Sequence, residues 1–221
     1  VVPQTRAIYK FIDEVVKDSG SSLNDVAHLK ICYKHNSVDP EGKPLLAKII
    51  DVTKERFGKH SPAITCFGVD LLYPGLVLEI DAMAFKSRHE RITMEPVSGS
   101  VFDGNFADAI SACGETWVGG HEPWDDSGNL LCEGDNSGQV KVVFEKLKKV
   151  LHESGLTVDD IVKLNLFFVT DNDDISDEFH GALNIWKKFA PNSNPAMTAV
   201  RAYELSHPGV SIQADCIAIK R

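Results

Sequence analysis

Two pairs of side chains set the chemistry this chain can attempt. Glu79 and Asp81 stand two residues apart in LEIDAMAF, and Gln213 and Asp215 stand two residues apart in IQADCIAI. Both segments alternate as strands do, and residues i and i+2 of a strand share a face. Each pair can therefore point into one pocket, where a carboxylate orients water or carries a proton. Near them in character are His121 and Glu122, at the end of ETWVGGHEP, and Cys66, in PAITCFGV. His121 and Glu122 read either as site residues facing a neighbouring unit or as a solvated pair at a strand end. Cys66 reads either as a reactive thiol or as a small buried hydrophobe. The acidic run Asp171 to Asp174 has neither EF-hand spacing nor a bidentate glutamate and precedes a predicted helix, where acids and caps belong. No metal is expected there, and no cofactor elsewhere.

The elements that must position these residues occur twice. DSGSSLNDVAHLKICY from Asp18 matches ESGLTVDDIVKLNLFF from Glu153, Pro62 matches Pro195, and LEIDAMAF matches IQADCIAI, with offsets of 133 to 135 residues. Helical spacing of apolar residues predicts helices over about 6–18 and 140–153. Gly20 and Gly155 fall where a helix end takes a left-handed residue. HLKICY and KLNLFFV follow as strands, then helices near 45–57 and 176–189, then two further strands. Each unit thus reads helix, strand, helix, strand, strand. Ahead of the second unit, AISACGETWVGGHEP and GNLLCEGD read as a hairpin joined at Asp125 to Gly128. The first unit has no counterpart, so about 35 residues that would complete it by analogy are absent. The division falls as residues 1–93 for the first unit and 94–221 for the second.

Composition bounds the function. The 221 residues are 43% hydrophobic, enough for a substantial core, and the net charge of -9 argues against a nucleic-acid surface, which needs a basic stripe. No apolar run reaches the roughly 20 residues of a membrane span. Five cysteines without CxxC spacing suggest reduced thiols and a cytoplasmic protein. The start at Val1, without methionine, suggests processing, trimming or an incomplete chain.

The second unit resembles the Rid/YjgF family of reactive-intermediate deaminases. The resemblance rests on ETWVGGHEP, ESGLTVDDIVKLNLFFV, PAMTAV and IQADCIAI, three of which recur in the first unit. It implies an α+β, chorismate-mutase-like fold, a mixed sheet with two helices on one face, here duplicated in tandem. It also implies an enamine or imine deaminase, such as one acting on a 2-imino acid or an aminomuconate-like product. The alternative is a non-catalytic module binding a small metabolite or a protein.

In that family the residue after Pro-Ala is usually an arginine that grips a substrate carboxylate. Here the slot holds Ile64 and Met197, neither of which can bind one. The cysteine two positions on is kept as Cys66 and becomes Ala199 in the second unit. Arg201, on the same strand face as Met197, either replaces the missing arginine from a shifted position or makes a surface ion pair. The resemblance further assigns water handling to Asp81, Asp215, Glu79 and His121. It places Gly120, Glu122, Thr198 and Gln213, with the slot residues, around a small-molecule substrate. It implies a homo-oligomer, a trimer with pockets between neighbours; three chains would carry six units.

Overall fold

The computed structural model describes residues 1–38, 42–87, 89–94, 102 and 106–220. The first unit contains α1 (Val2–Asp18), β1 (Val26–Lys34), α2 (Leu45–Phe57), β2 (Ala63–Val69) and β3 (Leu78–Ala84). Proline at the first turn suits α1, because its missing N–H costs nothing there. Gly20 ends it at φ 72°, the left-handed value its type permits, and Gly155 ends the matching helix of the second unit at φ 69°. After these stops, Ser22 with Asp25 and Thr157 with Asp160 each form a capping box that launches the next strand. The repeat thus extends to its local hydrogen bonds.

The chain continues with β4 (His89–Ile92), β5 (Ala109–Ala112), β6 (Glu115–His121), α3 (Asn136–Glu153), β7 (Ile161–Val169), α4 (Ser176–Phe189), β8 (Ala196–Ala202) and β9 (Ile212–Ile219). The smaller sheet runs β2-β1-β3 and the larger β4-β5-β6-β9-β7-β8. In both, the first strand of the repeat, β1 or β7, pairs parallel with the Pro-Ala strand and antiparallel with the last one. Both sheets are therefore mixed, as expected. Apolar residues of alternate register bury against the helices. Leu29, Ile31 and Tyr33 join Ile49 and Ile50 in the first unit, while Leu164, Leu166 and Cys216 join Phe144, Leu147 and Trp186 in the second.

One sequence expectation is corrected. The hairpin is β5 to β6, turning at Cys113 and Gly114 with φ of 53° and 84°. Two consecutive positive φ values make the tight connection that matches strand twist. GNLLCEGD contributes only an isolated bridge, Leu130 to Trp124, because the Asp125 turn closes on its own side-chain hydrogen bonds. Strand β4, which a division at residue 93 counts with the first unit, pairs with β5 and extends the larger sheet.

The helix-free faces of the sheets meet. Gly119 of β6 lies so close to β2 that a Cβ there would stand 2.9 Å from the Ile64 carbonyl oxygen. Phe67 stacks on Phe167 at 4.4 Å between ring centroids, and a backbone clip ties Gly68 to Tyr203 and Glu204.

Candidate functional site

The polar residues of the two repeated strands gather where the sheets meet. His28 and Lys30 from β1 and Thr65 from β2 face Asn165 from β7 and Asp215 from β9. Asp215 is 3% exposed. Its carboxyl accepts from the Thr65 hydroxyl at 2.9 Å and from the Asn165 amide, and lies 3.3 Å from the Lys30 ammonium. His28 Nε2 stands 3.0 Å from Thr65 Oγ1. The single hydroxyl proton of Thr65 points at Asp215, so His28 carries its proton on Nε2 and donates. Burial pushes the His28 pKa down to about 4, with Asp215 opposing that shift and Lys30 adding to it. The arrangement resembles a relay but offers no nucleophile: Thr65 is 0% exposed, so no electrophile reaches it.

A second cluster adjoins the first, since Gln213 shares a β9 face with Asp215. Glu122, also buried, accepts from the Gln213 amide at 2.9 Å, the Trp124 indole at 2.9 Å, the Ser206 backbone at 3.2 Å and the Ser206 hydroxyl. Gln213 presses so closely on Gly120 that a Cβ there would meet its amide at 2.6 Å. Its Oε1 has no hydrogen-bond partner among the described residues.

Ile64 and Cys66 turn away from the polar seam into the helix-side core, at 6% and 1% exposure. Burial raises the Cys66 thiol well above its ordinary pKa, and nearby Glu122 adds to the shift. The thiolate required of a nucleophile is thereby disfavoured. Met197 packs half-buried against the second unit's core, and Thr198 is exposed, accepting from Lys163.

Several proposed site residues are not brought together. Glu79 and Asp81 are exposed on β3, an edge strand of the small sheet. His121 faces Asp108 instead: its Nε2 is buried without a hydrogen-bond partner among the described residues, 3.8 Å from the Asp108 carboxyl. Burial chiefly, and Lys146 in addition, lower its pKa against the pull of Asp108. Arg201 does not fill the slot. It pairs with Asp173 at 2.6 Å and lies 4.5 Å over the Tyr203 ring, which stacks on His35 of the first unit. The acidic run is used likewise, Asp173 by Arg201 and Asp174 by the amide and hydroxyl of Ser176.

Sequence reasoning passed over His28, Lys30, Thr65 and Asn165. The signal was present: in HLKICY and KLNLFFV the residues alternate, polar on one face and apolar on the other, and the polar face requires a cover.

A duplicated mixed sheet with paired helices defines a chorismate-mutase-like fold in which polar residues meet at the junction of two units. The family profile of Endoribonuclease L-PSP matches residues 101–220, and the chain belongs to that family. It is 29% identical over 136 residues to the mitochondrial protein mmf1 of Schizosaccharomyces pombe, covering 60% of this chain and 80% of that protein. A RutC family protein of Pyrococcus abyssi is 29% identical over 117 residues, covering 53% and 87%. In structure, YyfA of Yersinia pestis, a protein of the Rid family, superposes with a TM-score of 0.52 at 22% identity, over 60% of this chain and all of that one. That likeness concerns the fold alone. No described helix is long and apolar enough to cross a membrane.

Proposed function

We propose that this chain is a Rid-fold binding and assembly module whose internal junction holds two units together and does not turn over an imine. The observation that carries this reading is the closure of the junction. Thr65, Glu122, Gln213 and Asp215 are each under 5% exposed, and both acids already hold several donors. Hydrolytic deamination needs space for substrate, a water within reach of a base, and an anchor for the substrate's charge. A carboxylate entering beside Ile64 would meet an apolar wall and the Glu122 carboxyl, at a cost of several kcal/mol without a paired cation.

The test is ammonia release from freshly generated 2-iminopropionate and 2-aminomuconate. The expected outcome is a rate equal to spontaneous hydrolysis; acceleration by the folded chain overturns the proposal. A deaminase reading is favoured by one observation, the exposure of Glu79 and Asp81, and it requires another polypeptide to complete a pocket over them. On that reading Asp81→Asn lowers kcat by roughly 10²-fold. The five free thiols support residence in a reducing compartment such as the cytoplasm.

A further inference from the structure

The two units pack their helices alike, and the matching contacts fix which residues correspond. Gln4 of α1 accepts from the Val77 N–H and donates to the Gly75 carbonyl; Gln139 of α3 accepts from the Ser211 N–H and donates to the Gly209 carbonyl. Thr53 of α2 bonds Tyr9 at 2.6 Å, and Trp186 of α4 lies edge-on to Phe144 with ring centroids 5.0 Å apart. Val1, Val2, Leu45, Ile49 and Val77 therefore correspond to Asn136, Ser137, Glu178, Ala182 and Ser211. In the first unit all five belong to the helix-side core or pack against it. In the second, four have become polar and the fifth has shrunk to alanine.

The exchange leaves a cavity of about 250 Å³ between the first turns of α3 and α4. Val140, Phe168 and Ile212 line its floor, and the exposed residues Asn136, Ser137 and Asp177 line its mouth. Glu178 reaches the wall from α4, and its Oε2 is buried without a hydrogen-bond partner among the described residues. Gly181, beside the mouth, weakens the helix interior it occupies, yet a Cβ there would meet nothing within 4 Å. No neighbour demands that glycine; its missing side chain keeps the entrance wide. The sign of the charge follows from magnitudes. Asp177 and Glu178 bring two unit negative charges, against about half a positive charge from each helix N-terminus, so the cavity is net negative.

We propose that this cavity binds a small aliphatic amine, its ammonium paired with the Glu178 carboxylate and its hydrocarbon body on the floor of Val140, Phe168 and Ile212. A buried carboxylate oxygen without a donor is costly, and an ammonium supplies both the proton donors and the opposite charge. Water would satisfy the carboxylate but leave the floor wetted, which a hydrocarbon body relieves. The volume suits such a molecule, since an apolar cavity of about 150 Å³ already holds benzene. An anion of the same shape would face two carboxylates, and a neutral isostere would leave Glu178 without its counter-charge.

Amide NMR of the full chain, titrated at neutral pH with 3-methylbutylamine, 3-methylbutan-1-ol or 3-methylbutanoate, tests this. The amine is expected to shift the Gly181 and Ala182 amides and to bind about tenfold or more tightly than the alcohol or the acid. Glu178→Gln, which keeps the shape and removes the charge, is expected to weaken the amine by about tenfold or more and to leave the alcohol unchanged. Ala182→Ile restores the first unit's residue, fills the cavity and is expected to abolish binding of all three. Circular dichroism confirms that each variant is folded. Equal affinity for amine and alcohol, shifts that miss Gly181 and Ala182, or amine binding unchanged in either variant overturns the proposal. The cavity lies on the helix side of the larger sheet and the junction on its other face, so this titration and the ammonia assay fail independently.

Discussion

Asp81 and Asp215 occupy the same position of a repeated strand, yet truncating them should have very different effects. Asp215→Ala removes the acceptor of the Thr65 hydroxyl and the Asn165 amide and the partner of Lys30. A buried donor left without an acceptor costs about 1–3 kcal/mol, and two are stranded. Lys30 keeps 27% of its side chain in solvent and can turn outward, which relieves part of the loss of its ion pair. The sum is a destabilisation of roughly 3 kcal/mol. For a chain of this size that lowers Tm by about 6–12 °C. Asp81 is exposed, and Asp81→Ala should stay within about 0.5 kcal/mol of wild type. Urea unfolding of dilute protein, comparing midpoints at unchanged m-value, measures both. Equal effects of the two substitutions would refute the reasoning, because they would mean that Asp215 is not held in a closed seam.

Stability should also depend on pH through His28. Its folded pKa of about 4 lies below the ordinary 6.5, so the unfolded chain binds more protons between those values and stability falls as pH drops through that window. The loss amounts to about 3 kcal/mol at 1.4 kcal/mol per pH unit, and His28→Gln should flatten this part of the urea-midpoint profile. Gly119→Ala drives a methyl group against the Ile64 backbone and should cost about 1–3 kcal/mol, measured by thermal unfolding. Ile64→Arg buries a guanidinium among the residues of the first core and should lower soluble yield and Tm without conferring 2-iminopropionate hydrolysis; a folded, active variant would restore the slot as a substrate site.

Much of the fold was legible in the sequence because the repeat supplies each signal twice. The helices predicted at 45–57 and 176–189 coincide with α2 and α4, where dense apolar spacing leaves little choice of boundary. The other two begin about four residues earlier than predicted, at Val2 and Asn136, since their first turns are polar or carry proline and lack periodicity. The hairpin was misplaced because Asp-Ser-Gly outweighed Cys-Gly as a turn signal, although only the latter connects two strands. The strand His89–Ile92 carried no visible pattern: its pairing with β5 is a long-range choice that four residues do not encode.

At the site, strand alternation placed Gln213 and Asp215 on one face correctly, while it could not say which pair would be covered. Asp215 and Asp81 differ in burial because the first unit docks on one, while among the described residues nothing docks on the other. The family slot misled for a related reason. The resemblance places Ile64 and Cys66 around a pocket, but on β2 their alternation points them into the helix-side core.

Thiol labelling of the native protein tests the closed junction most directly. Cys113 and Cys132 are exposed and should react with a maleimide at once. Cys32 packs with Phe67 and Phe167 where the sheets meet, and burial, with Asp81 and Glu79 adding, pushes its thiol up to about 11, so it should react far more slowly than Cys132, while the core residues Cys66 and Cys216 label only on global unfolding. Mass spectrometry of digests resolves each site. Labelling of Cys32 at a rate near that of Cys132, with Cys66 and Cys216 still protected, would mean that the junction opens to small molecules and would contradict the account.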